Sequence, residues 1–299
     1  YNTYKMIDKL LEDSENNIVS HSQCCQYSCK NLVTVEDVPE WYSNNKYIYH
    51  GYRPAGMSIA KLCKSIFAIH NETLNIWSHI VGCIIFIGIM CNFLIKDIHN
   101  YTSTIPICIF LVGTIICFTS SAIMHTVYPH SKHTCTIFCN LDYSGILILI
   151  YGGYLSFVHY EFFCFPTVQI FYYIFVTLLA SLSTFLICNS TTLVRSGSFL
   201  LFGLTSLVPI IHKRLFVKES DVLLQHSNTQ LLYIGFTLSI SVCGILFYVC
   251  RIPERFHRDM FNIILSSHQI FHVCTIIAAY LYYTALIELY NFYSSHRCE

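Results

Sequence analysis

The chain has 299 residues, of which 54% are apolar or aromatic and only 11% are charged. A soluble domain carries about a quarter charged residues, so an ordinary water-soluble globule is excluded in favour of membrane spans. Lysine plus arginine equal aspartate plus glutamate at 17 each, which leaves no basic footprint for nucleic acid.

In chain order, residues 1–55 are polar and mixed and read as a cytosolic lead-in, partly disordered. The chain as given opens at Tyr1 with no charged-then-apolar signal, so the first span is expected to serve as its own targeting segment. His21, Cys24, Cys25 and Cys29 are irregularly spaced in polar surroundings and read as inert. Cys83, Cys91, Cys108, Cys117, Cys188, Cys243 and Cys274 fall inside apolar runs, where a thiol packs as a small hydrophobe, so a disulfide scaffold is not expected. Residues 56–75 change character. Ile59, Leu62, Ile66, Phe67 and Ile69 recur at helical spacing with Lys61 and Lys64 between them, the pattern of an amphipathic helix on the membrane surface.

Apolar stretches follow near 76–95, 105–127, 141–160, 167–188, 197–212, 230–250 and 263–287, with a short tail at 288–299. Each approaches the roughly 20 residues that a helix needs to cross a bilayer. The fifth is the shortest and contains Pro209. Shorter, alternating segments would mark a barrel, and none appear, so the fold class is an all-α bundle of seven transmembrane helices. Arg53, Lys61, Lys64, Lys132, Arg195, Arg251, Arg255 and Arg258 flank one side, against Lys96, Lys213, Arg214, Lys218 and Arg297 on the other. The bias predicts a cytosolic N-terminus and an extracellular C-terminus.

Ionisable residues inside spans are costly and point to function. His125 closes the second span, Asp142 opens the third, and His268 and His272 open the seventh, all at one end of the bundle. A separation of four residues puts His268 and His272 on one helical face. With His125 they make a three-nitrogen set that leaves one position for water, as in catalytic zinc sites. Zinc lowers the pKa of such a water to about 7. Asp142 is placed to take or orient its proton, and Ser121, one turn before His125, to donate to an oxyanion. The alternative is interfacial histidines satisfied by water, loops and head groups. His79 and His212 also fall at span ends and read as interfacial polar groups rather than ligands. No HExxH, GxSxG or Walker pattern is present.

The segments VPEW (38–41), GYRP (51–54), CKSIFAIHNETLNIWSH (63–79), SSAIMHTVYPHS (120–131), LDYSGI (141–146), RIPERF (251–256) and SHQIFHV (267–273) occur in order along the spans. With them the chain resembles the progestin and adipoQ receptor family, also called haemolysin III, and within it the adiponectin receptors. That resemblance implies seven helices with the N-terminus inside. It implies zinc held by His125, His268 and His272, with Asp142 on the zinc-bound water and Ser121 beside it. It also implies an integral protein of the plasma membrane that hydrolyses ceramide or a related lipid amide and answers an extracellular hormone or lipid ligand such as adiponectin. The lead-in carries little of the resemblance, and a cytosolic adaptor at the N-terminal region is a separate expectation. Two other readings stay open: a hormone receptor in which zinc only braces helices, and a steroid-responsive receptor that is not an enzyme.

Overall fold

The computed structural model describes residues 32–43, 45–97, 101–188, 191–216, 221–257 and 259–295. His21, Cys24, Cys25 and Cys29, with the rest of the first 31 residues, lie outside them. Among the described residues the regular structure is helical: α1 (Ile59–Ser65), α2 (Thr73–Lys96), α3 (Tyr101–Val127), α4 (Lys132–Glu161), α5 (Pro166–Cys188), α6 (Thr192–Leu204), α7 (Leu207–Phe216), α8 (Asp221–Cys250) and α9 (Ser267–Ser295). Seven helical segments are long and apolar enough to cross a membrane, with α6 and α7 together forming the fifth. The outward faces are strongly apolar, with Ile95, Phe185 and Phe216 each more than 70% exposed, as lipid contact requires. This is an integral membrane protein of seven helical spans.

Three boundaries differ from the hydropathy reading for a common reason: apolar runs mark the part of a helix in hydrocarbon, not the helix itself. The third span begins at Lys132, where the Ser131 side chain accepts a hydrogen bond from Thr134 N (3.2 Å) and caps the helix. Asp142 therefore lies well inside α4 rather than in its first turn. The seventh span begins at Ser267, and residues 288–295, read as tail, continue α9. The fifth is broken at Thr205–Ser206, whose hydroxyls turn back to Phe202 O (2.6 Å) and Gly203 O (2.7 Å). Pro209 is not the cause. It sits in the first turn of α7, where its missing N–H has no partner to lose.

The described part of the lead-in, residues 32–43 and 45–55, is folded. Val33 and Tyr52 form an antiparallel bridge, and Val38, Tyr42, Ile48 and Tyr52 bury against Met124, Tyr128 and Cys135 at the ends of α3 and α4. The surface helix is shorter than its apolar pattern, Ile59–Ser65, and Phe67 (82% exposed) and Ile69 (71%) follow it on the outside.

Helices α3 and α4 approach each other closely. A Cβ added to Gly145 would stand 2.9 Å from the Cys117 backbone, and one on Gly152 would stand 3.1 Å from Ile109 O. Small residues let helix backbones approach where lipid offers no hydrophobic drive for association. Cys117 is one turn from Ser121, and Gly145 is one turn from Asp142. The crossing thus sets these two polar side chains against each other.

Candidate metal centre

The i, i+4 spacing on α9 places the rings of His268 and His272 4.7 Å apart, centroid to centroid. The His125 ring, at the end of α3, lies 5.0 Å from the first and 4.9 Å from the second. One ligand atom from each of the three converges within 4.8 Å, and His125 and His272 are buried. Nε2 of His125 and Nε2 of His268 are 3.2 Å apart. Two nitrogen ligands at about 2.0–2.1 Å from a tetrahedral ion would be roughly 3.3–3.4 Å apart, close to the separation of this pair. The bundle therefore brings His125, His268 and His272 together into a group that can hold a metal.

The surrounding contacts orient the rings. Oε2 of Glu72, the residue before α2, is 2.8 Å from Nδ1 of His125, which leaves Nε2 facing the cluster. Asn75 Nδ2 donates to the same carboxylate (2.6 Å), as does the Tyr128 hydroxyl (3.2 Å). Burial opposes the ionised Glu72 carboxyl, but its hydrogen bond and charge interaction with His125, with help from Asn75, hold it below the ordinary carboxylate range. His272 Nδ1 lies 3.2 Å from Asn75 O and 3.3 Å from Ser78 Oγ, which turns its Nε2 the other way. Arg53 is buried and donates to His125 O (2.6 Å) and Thr126 O (2.9 Å), closing the end of α3. Glu254, from the RIPERF segment, accepts from Ser267 N (2.8 Å) at the start of α9 and from Asn45 Nδ2 (2.9 Å).

Two cavities meet at this point. One of about 220 Å³ runs into the bundle between apolar walls, and Ser121, Asp142, His79, His268 and His272 stand at its polar end. The other, of about 110 Å³, opens on the side of the folded lead-in and reaches Glu72, His125 and Arg251. Asp142 and His268 line both. Ser121 and Asp142 line the same end of the larger cavity, and the Arg195 guanidinium lies 4.0 Å over the Tyr143 ring beside them. Asp142 is outside the group of converging donor atoms but shares their cavity.

Of the two histidines read as interfacial, one lies inside the bundle. His79 is buried (4% exposed) and stacks on His272 at 3.7 Å between centroids. His212 accepts or donates at 2.9 Å to the Tyr172 hydroxyl near the far end of the bundle, beside an ion pair of Lys213 with Glu161 (3.1 Å). Glu72, Asn75, Arg53 and Glu254 carry no signal in hydropathy. Glu72 was within reach of topology, because it precedes the first span at the same end as His125.

A family model described as "Haemolysin-III related" matches residues 67–283. The chain belongs to the haemolysin III-related family. It is similar to "Progestin and adipoQ receptor-like protein 1" of Caenorhabditis elegans, 32% identical over 266 residues, covering 86% of this chain and 61% of that protein. It is also 32% identical to the "Adiponectin receptor protein" of Drosophila melanogaster over 262 residues, 85% of this chain and 58% of that one. "Heptahelical transmembrane protein 1" of Arabidopsis thaliana is 31% identical over 277 residues, 86% of this chain and 81% of the relative. The chain thus spans about three fifths of the first two relatives. The haemolysin III-related match includes the segments that supply Glu72, His125, Asp142, His268 and His272.

Proposed function

We propose that this haemolysin III-related protein is a membrane receptor with an intramembrane zinc site that hydrolyses a lipid amide of the ceramide type. The observation that carries the reading is the convergence of His125, His268 and His272 beside Asp142 at the end of a long apolar cavity.

Three imidazoles, with Nδ1 of His125 engaged by Glu72 and Nδ1 of His272 by Asn75 O, suit zinc, and three protein ligands leave a fourth position open. When bound, zinc would supply Lewis acidity and an acidified water at neutral pH. The residues of the chain do the rest. Asp142 takes the proton of a water held at the junction of the two cavities. Ser121, at the same end of the larger cavity, donates to the substrate's carbonyl oxygen as charge gathers there. Apolar walls including Phe110, Leu149, Ile150 and Phe199 hold the acyl chain and keep bulk water away. The smaller cavity, with Asn45, Glu72 and Arg251 in its wall, admits water and releases polar product.

The same reading sets the metal end of the bundle in the cytosol and the protein in the plasma membrane. The positive-charge bias supports this orientation. So does Cys164, which is disulfide-bonded between α4 and α5 at the opposite end, as suits an oxidising exterior. An extracellular hormone or lipid ligand fits the receptor names of the relatives, and a cytosolic adaptor at the N-terminal region completes the proposal.

Purified protein supplied with N-acylsphingosine tests the hydrolase. Sphingosine release that collapses in Asp142→Asn, with metal retained, supports it. Absence of release from metal-loaded protein leaves a receptor whose ion braces α3 against α9.

A further inference from the structure

His79 is a polar side chain buried at the cavity's reactive end with nothing to bond. Neither of its ring nitrogens has a hydrogen-bond partner or touches water. Its faces are occupied instead: His272 lies parallel to it at 3.7 Å and 10°, and Phe118 is 4.9 Å away. The contrast with its neighbours is chemical. Glu72, Asn75, His125 and His272 bond one another or nearby backbone. In the same wall, Ser206, Thr237, Ser241 and Thr275 direct their hydroxyls to their own helices. A neutral imidazole offers one N–H and one lone pair, and a buried ring that satisfies neither is an unfavourable arrangement unless a bound molecule completes it.

We propose that His79 reads the head of the bound lipid by accepting the N–H of a secondary amide, and so sets a preference for amides over esters or N-alkylated amides. The proposal rests on the lipid-amide reading given above. A trans amide presents its carbonyl and its N–H in opposite directions. With the carbonyl turned toward Ser121 and the three histidines, the N–H needs an acceptor elsewhere in the wall. His79 lines that wall and holds a lone pair no protein group uses. An ester has no hydrogen to give there. Stacking on His272 holds the His79 ring in place without consuming either nitrogen.

The test compares N-octadecylacetamide with its N-methylated form, which keeps the chain and the carbonyl and carries a methyl group in place of the N–H hydrogen. Binding is measured by calorimetry on metal-loaded full-length protein in nanodiscs. Wild type should bind the secondary amide about tenfold more tightly, the scale of one net hydrogen bond. His79→Phe keeps the stack and should erase the difference, whereas His79→Gln, whose amide oxygen accepts, should retain part of it. Equal binding of the two probes by wild type overturns the proposal without recourse to any variant. A preference that survives in His79→Phe overturns it as well. The hydrolase reading fails separately, through absent sphingosine release, because the binding preference is read whether or not amides are cleaved.

Discussion

Glu72 Oε2 stands 2.8 Å from Nδ1 of His125, and this contact decides which nitrogen of that ring faces the other two histidines. A carboxylate on the outer nitrogen fixes the tautomer and raises the basicity of the inner one. Glu72 belongs to the turn that starts α2, so a third helix is tied to a cluster whose histidines come only from α3 and α9.

Removing that carboxylate should weaken metal binding without removing a ligand. Glu72→Ala is expected to lower zinc affinity by about 10–100-fold, and Glu72→Gln by less, because an amide oxygen can still accept from Nδ1. Competition against a chelator of known affinity reads the difference. Unchanged affinity in Glu72→Ala would show that His125 needs no orienting partner.

The α3–α4 crossing offers a sharper mechanical test. Gly145→Ala puts a methyl group 2.9 Å from the Cys117 backbone, so the helices must part, and Ser121 moves relative to Asp142. We expect a loss of about 1–3 kcal/mol, as for other overpacked sites. Gly88→Ala, on the lipid-facing side of α2 with nothing within 4 Å, should be neutral or slightly stabilising. Thermal midpoints in detergent compare the pair. Equal midpoints would mean that the crossing has slack.

The fold class was legible in the sequence because burial in lipid leaves its mark on every span, and hydropathy needs no knowledge of partners. The histidine cluster was legible for a related reason. An i, i+4 pair is local, and topology then restricts which span ends can meet it. Arg53 and Glu254 were not legible in this way, and Glu72 was within its reach only as the residue before the first span. Each is polar and lies outside the apolar runs, and its importance comes from a loop that folds over the bundle end. That fold is held by Tyr42, Ile48 and Tyr52, whose spacing follows neither helical nor strand periodicity. His79 was misread because span ends suggest interface, whereas α2 begins beneath the folded lead-in and buries its first turns. The break in the fifth span was not foreseen, because it falls at two hydroxyl residues that bond their own backbone and not at Pro209.

Acid should destabilise the protein through His70. Burial, reinforced by the Arg53 guanidinium, pushes its imidazole down to about 3 from an ordinary value of 6.5, against a smaller opposing pull from Glu72 and Ser65 O. The neutral ring bonds Ser65 O through Nε2 (3.1 Å) and accepts Glu72 N–H at Nδ1 (3.1 Å), so a second proton would break the latter bond. Between those pH values the unfolded chain binds the proton and the folded chain does not, so stability falls as pH drops from about 6.5 toward 3. His70→Gln removes this titration and should flatten the melting midpoint against pH over that window. An identical slope in the variant would exclude His70 as its source.

In the proposed function, His125, His268 and His272 together hold one zinc ion. The most direct measurement is elemental analysis of detergent-purified protein, made on the wild type and on His125→Ala, His268→Ala and His272→Ala. Zinc near one equivalent in wild type, with a marked loss in all three variants, is expected. Wild type purified without a transition metal that still takes up none on titration, or full zinc retained after loss of His125, would contradict it.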